Sequence, residues 1–176
     1  MNTASSFSFD CFYYLSLGSN VGNRSAYLKN AVDFLRTLGT IERISSIYET
    51  EPVGMSPETH AFLNMAVGLK SLRSPHDLLN AIKAFEKEMG RDLTRSHNHP
   101  RTIDIDILLA DDRIIATEHL TIPHPEMEKR AFVLVPLNEI APHALHPILK
   151  KTIRELHEAL PLTVESVLKI SDDQNR

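Results

Sequence analysis

Arg101-Thr102-Ile103-Asp104-Ile105-Asp106-Ile107-Leu108-Leu109 alternates apolar and polar residues along most of its length. A strand sends successive side chains to opposite faces. Ile103, Ile105, Ile107 and Leu109 therefore share one face, and Thr102, Asp104, Asp106 and Leu108 share the other. Positions two apart on a strand are roughly 6.5 to 7 Å apart, so the two carboxylates can converge on one Mg2+ or on a metal pair about 3.5 to 4 Å apart. Arg101, directly before the strand, adds a planar fork of donors suited to phosphate oxygens. Any strand with one buried and one wet face also alternates in this way. Asp is nevertheless a poor strand residue, and two on one face between β-branched neighbours call for a reason.

Upstream, Arg91 to Pro100 is a polar, basic loop that carries Arg91, Arg95, His97 and His99 toward the Asp strand and could close over a polyphosphate. His97 and His99 have no third ligand at metal spacing and read as solvated. A helix precedes that loop. Ser74 caps it, Pro75 sits at its first position, Leu78, Ile82, Phe85 and Met89 form its stripe, and Gly90 ends it. Ala61 to Lys70 alternates as a strand, with Leu63, Met65, Val67 and Leu69 on one face and Phe62, Asn64, Ala66 and Gly68 on the other. Before it, Ile41 to Tyr48 reads as one strand, followed by a proline-containing loop from Glu49 to Pro57. Cys11 to Leu17 is the first strand, Gly18 to Asn23 a turn cluster, and Asn23 the cap of a helix with Leu28, Ala31, Val32, Leu35 and Leu38 on one side.

Strand, helix, strand, strand, helix, strand is the ferredoxin-like βαββαβ order, an α+β fold with helices packed on one face of an antiparallel sheet. In that order the first and fourth strands are expected to be central neighbours, which places the Asp strand inside the sheet. Downstream, Asp111-Asp112-Arg113 turns into a short strand at Ile114-Ile115. Ile122-Pro123-His124-Pro125 then presents one imidazole in a proline frame, and Arg130-Ala131-Phe132 leads into an apolar run. A short helix near Leu137 to Ile140 and a last one over Leu149 to Leu160 follow, so a hairpin and helices complete the C-terminal side.

The 176 residues suit a single domain, with a core over about 12–160. One cysteine, Cys11, excludes an intrachain disulfide framework. The first ten residues lack the basic and apolar regions of a signal peptide, and no stretch reads as a membrane span, so a soluble cytoplasmic protein is expected. A net charge of -4 argues against a broad grip on nucleic acid or an acidic membrane.

Taken with Leu17-Gly18-Ser19-Asn20 and Ile122-Pro123-His124, the Pro100-Arg101-Thr102-Ile103-Asp104-Ile105-Asp106-Ile107-Leu108 run resembles the 6-hydroxymethyl-7,8-dihydropterin pyrophosphokinase family of folate biosynthesis, over roughly Tyr14 to Leu160. The resemblance implies transfer of diphosphate from ATP to the pterin hydroxymethyl group with release of AMP. It further implies that Asp104 and Asp106 hold two Mg2+ ions, and that Arg91 and Arg101 clamp phosphates. Glu86, Thr121, His124 and Arg130 would then lie on the nucleotide side. Gly18, Thr50, Val53, Phe62, Asn64 and Phe132 would form the slot for a reduced pterin, and other folate-pathway enzymes become candidate partners.

The chain departs from the family in two places. Phe62 stands where a tyrosine is common, which leaves stacking without a hydroxyl. The loop before Pro100 has no tryptophan and carries Leu93 and Asn98 at the positions expected to cover the substrates, so Arg95 or His97 would have to substitute. Two other readings of the residues stay open: a Mg-dependent nucleotidyltransferase, which would release pyrophosphate, and a noncatalytic pterin- or nucleotide-binding module.

Overall fold

The computed structural model describes residues 10–51, 61–90, 102–161 and 166–170. In chain order the elements are β1 (Cys11–Ser19), α1 (Arg24–Leu38), β2 (Thr40–Ile44), β3 (Tyr48–Thr50), β4 (Phe62–Ser71), α2 (Pro75–Glu88), β5 (Asp104–Ala110), β6 (Ile115–Ala116) and β7 (Thr121–Ile122). A 3-10 turn (Met127–Lys129), α3 (Ala131–Ile140), α4 (Ile153–Glu158) and β8 (Val167–Lys169) follow. The main sheet runs β5-β1-β4-β3-β8, with β2 also on β4, while β6 and β7 form a separate pair.

The helices begin where their sequences supply partners for unpaired amides. The Asn23 side chain accepts from the Ala26 amide, and the Ser74 hydroxyl accepts from Asp77, with Pro75 at the first helical position. Leu28, Ala31, Val32 and Leu35 of α1 and Leu78, Ile82 and Phe85 of α2 are buried against one face of the sheet. Phe34 and Phe85 stack with centroids 4.2 Å apart and join the two helices. From the sheet this core receives Tyr13, Leu15 and Leu17 of β1, Leu63, Met65, Val67 and Leu69 of β4, and Ile105 and Ile107 of β5.

The sheet corrects three expectations. The Asp strand is not inside the sheet: among the described residues β5 pairs only with β1, and β1 and β4 are the central strands. The far side of β4 is already taken by β2 and β3, so the crossover through α2 has to carry the chain past β4 to the open side of β1. Leu109 does not stay with the isoleucines. Tyr14 pairs with Leu109 and Leu15 with Ile107, so Leu108 is an inserted residue and both leucines enter the core on the opposite face. The strand read over Ile41 to Tyr48 is two pieces. Ile44 pairs with Val67 and Tyr48 with Asn64, one residue more on the outer strand, and Ser45 fills the gap by bonding Ala66 through its backbone amide and its hydroxyl.

The second face is covered in part by α3 and α4. Ala66, Leu108 and Leu109 pack there with Val133, Leu134, Leu137 and Ile153. The helix expected only from Leu137 starts at Ala131 and passes through Pro136, and the last one is shorter than expected, Ile153–Glu158. The free edge of β5 is covered at two points, one between the two Asp residues and one beyond them. The Ile105 amide donates to the Glu86 carboxylate at 2.8 Å, and the Leu108 carbonyl accepts from the His124 amide at 2.9 Å.

His146 is buried in the loop between α3 and α4, where its Nδ1 accepts from the Leu149 amide. Burial pushes its pKa below the ordinary 6.5 against the opposing pull of Glu128. The unfolded chain therefore takes up a proton near pH 6.5 that the folded chain does not, so this residue's contribution is complete above that pH and is lost as the pH falls below it. Urea midpoints measured from pH 7 to 5 should decline, and His146→Gln should make the decline shallower.

Candidate active site

Cross-strand partners share a face, and the register places the chemistry-bearing residues in rows across the second face. Asp104 pairs with Gly18, Gly18 with Asn64, and Asn64 with Tyr48. One step along, Asp106 pairs with Ser16 and Ser16 with Ala66. Phe62 pairs with Thr50 at the end of β4. Where α3 covers Ala66, Leu108 and Leu109 the face is closed, whereas Gly18, Phe62, Asp104 and Asp106 remain only partly buried. The sheet thus carries two carboxylates at one side of an open patch and an amide at the other.

Asn64 is buried, and its Nδ2 donates to the Thr50 hydroxyl at 2.8 Å. Its Oδ1 lies over Gly18, where an added Cβ would stand 3.1 Å away. Glycine here lets the amide lie flat against β1. Ser19, read from sequence as part of a turn, is the last residue of β1, and its hydroxyl donates to the Thr102 carbonyl, tying β1 to the start of the Asp strand.

His124 approaches from the far side of β5. Its Nδ1 accepts from the Glu126 amide, so in the neutral ring the proton sits on Nε2. Burial, with help from Arg130, lowers its pKa, while Asp106 and Asp104 pull it upward. The imidazole and the two carboxylates therefore feel one another's charge. Arg130 is the residue before α3; its side chain makes no capping hydrogen bond, and its guanidinium carbon lies 5.7 Å from the Phe132 ring centroid, a cation–π distance. Thr121 is exposed on β7.

Glu86 is fully buried, with its carboxylate on the Ile105 amide and on Lys83. Val53, Arg91 and Arg101, together with Leu93, Arg95, His97, Asn98 and His99, lie outside the described residues. Arg24 had no signal in the sequence, because its partners are remote in the chain. Its guanidinium donates to the Glu49 carboxylate at 2.9 Å and to the Ala61 carbonyl at 2.5 Å, joining the residues on either side of 52–60.

Among the described residues no group of three His, Cys, Asp or Glu side chains could hold a metal ion. The Asp104 and Asp106 pair is consistent with Mg2+ in a different way. That ion takes one or two carboxylates and completes its shell with water and substrate phosphate oxygens, and carboxylate oxygens are the donors it prefers.

The family model described as 7,8-dihydro-6-hydroxymethylpterin-pyrophosphokinase matches residues 14–142. The 2-amino-4-hydroxy-6-hydroxymethyldihydropteridine pyrophosphokinase of Aquifex aeolicus is 45% identical over 142 residues, which cover 81% of this chain and 88% of that protein. The Bacillus subtilis protein of the same name is 48% identical over 130 residues, 72% of this chain and 76% of its own. Among solved structures, Plasmodium falciparum HPPK-DHPS wild type with SDX-DHP superposes with a TM-score of 0.68 at 20% identity. That match covers 85% of this chain but only 44% of the Plasmodium chain, and at such identity it speaks for the fold alone.

Proposed function

This chain belongs to the 7,8-dihydro-6-hydroxymethylpterin-pyrophosphokinase family, and from that membership we infer how its own residues divide the work. The reaction is ATP-dependent transfer of a diphosphate group to hydroxymethyldihydropterin in folate biosynthesis. The oxygen of the pterin hydroxymethyl group forms a bond to the β-phosphorus of ATP, the bond from that phosphorus to the α-phosphate bridging oxygen breaks, the hydroxyl proton is released, and AMP leaves.

We assign Asp104 and Asp106 to hold Mg2+, two ions when both phosphate groups are engaged. The observation that carries this is the register that puts both carboxylates on one face, Asp104 in line with Gly18 and Asn64 and Asp106 in the next row with Ser16 and Ala66. Bound there, Mg2+ would neutralise phosphate charge and favour the alkoxide character of the attacking oxygen. The protein's own share is positioning. Asn64, oriented by Thr50, reads the amide edge of the pterin, while Phe62 and Phe132 offer ring faces and Gly18 leaves room beneath. His124, Thr121 and Arg130 are assigned to the nucleotide, with the neutral His124 Nε2–H as a donor to a phosphate or ribose oxygen. By the same reading Arg91 and Arg101 are assigned to the phosphates and Val53 to the pterin.

No helix among the described residues is long and apolar enough to cross a membrane. We place the enzyme in the cytoplasm, where ATP is supplied. Other folate-pathway enzymes are candidate partners, since the Dictyostelium discoideum folic acid synthesis protein contains a matching stretch within a much longer chain.

Nucleotide product analysis tests the function. AMP formed in step with a pterin diphosphate supports it, whereas ADP would mean simple phosphoryl transfer and pyrophosphate would mean nucleotidyl transfer. The pterin assignment has its own test. Asn64→Leu leaves the Thr50 hydroxyl and the ligand's polar edge without partners, about 2 kcal/mol. KM for the pterin should rise roughly 30-fold while KM for ATP stays near that of the parent.

A further inference from the structure

We propose that Glu86 is a positioning residue that aims Asp104 and Asp106 by holding the backbone between them, an inference that rests on the metal-binding reading of that pair. Glu86 lies in the last turn of α2, on the same buried stripe as Leu78, Ile82 and Phe85. It is 0% exposed, with Oε1 accepting from the Ile105 amide at 2.8 Å and Oε2 accepting from Lys83 Nζ at 2.9 Å.

A carboxylate in such a place is a poor device for stability. Removing it from water is costly, and apolar replacements of buried ion pairs are often neutral or stabilising. Leucine would suit the stripe of α2 better. What leucine lacks is an acceptor for the Ile105 amide, which points away from β1 at the open edge of the sheet. A strand bonded on one side only is easily twisted out of plane, and the side chains of Asp104 and Asp106 follow the pleat on either side of Ile105. A charge-assisted bond from a rigid helix to that amide fixes the peptide that joins Asp104 to Ile105. With the His124 amide on the Leu108 carbonyl, the Asp strand is held from outside at both ends. Partners of metal ligands act in this manner, and their loss typically weakens metal binding 10- to 100-fold.

Two substitutions separate the acceptor from the charge. Glu86→Gln keeps an acceptor oxygen at the same reach and removes the charge. Glu86→Asp keeps the charge and retracts the oxygens by one methylene. Binding of a nonhydrolysable ATP analogue is followed by calorimetry across a Mg2+ titration, and exchange of the Ile105 amide is followed by NMR in the same variants. The expected result is that Glu86→Gln stays within about threefold of the parent in the Mg2+ concentration required. Glu86→Asp should need about tenfold more and show faster Ile105 exchange, with KM for the pterin unchanged in both. Any other ordering overturns the inference, including an unaltered Mg2+ requirement in both variants or a loss confined to Glu86→Gln, which would make the charge the active element. Asp104→Asn serves as the reference. If it leaves the Mg2+ requirement untouched, the metal reading itself fails, whereas a loss in Asp104→Asn with none in Glu86→Asp condemns Glu86 alone.

Discussion

Asp106→Asn is expected to lower kcat for AMP formation by on the order of 10³-fold, about 4 kcal/mol of transition-state stabilisation. Asparagine keeps the size and shape of the side chain on β5 and removes the charge, so the change reads the electrostatic role of the residue. Pterin binding should persist, because Asn64 and Thr50 lie across β1 on β4 and β3 and keep their mutual hydrogen bond. Thermal unfolding of the variant separates the two effects: lost activity with an unchanged melting midpoint assigns the loss to the missing charge and not to the fold. A kcat within tenfold of the parent would remove Asp106 from the reaction.

Gly39→Ala is expected to be the most damaging single methyl in the sheet. The glycine ends α1 and passes the chain into β2 against β4, where an added Cβ would lie 2.2 Å from the Lys70 carbonyl oxygen and 3.1 Å from the Ser71 side chain. The nearest atom is backbone in a central strand, so relief requires β2 or β4 to move. Overpacking of this kind costs about 3 kcal/mol, a fall in Tm of about 10 °C for a chain of this length. Gly18→Ala makes a useful contrast. Its Cβ meets the Asn64 Oδ1 at 3.1 Å, the end of a side chain that can turn. Thermal unfolding of the two variants should show a large drop for Gly39→Ala and a small one for Gly18→Ala, with the damage in Gly18→Ala appearing in pterin KM.

Legibility from sequence followed the range of the interactions involved. The caps at Asn23 and Ser74, the stripes of α1 and α2 and the alternation of β4 are local, and each appears where its residues place it. The shared face of Asp104 and Asp106 is equally local. What could not be read depends on partners distant in sequence. The edge position of β5 follows from which side of β1 is open, and the inserted Leu108 from a register set by Tyr14 and Leu15. The division between β2 and β3 depends on Ser45 meeting Ala66. The full extent of α3 was hidden by Pro136, because a proline in a helix that packs on a core is held there by burial in spite of the missing hydrogen bond. β8 is three residues long, Val167–Lys169, and owes its existence to β3. In the candidate site, motif reasoning singled out the Asp pair, His124 and Asn64, while the bond from Glu86 to Ile105 and the bridge made by Arg24 had no signal in the sequence.

That bridge also bears on how this scaffold can change over time. Because Arg24 grips Glu49 and the Ala61 carbonyl together, the connection between β3 and β4 starts and finishes at a fixed separation whatever lies between. The entropy of closing a loop grows only with the logarithm of its length, about 0.6 kcal/mol for each doubling. Insertions and deletions between residues 51 and 61 are therefore inexpensive to the sheet. A lineage can revise this connection, and an engineer can graft into it, while the strands that carry Asn64, Asp104 and Asp106 keep their register.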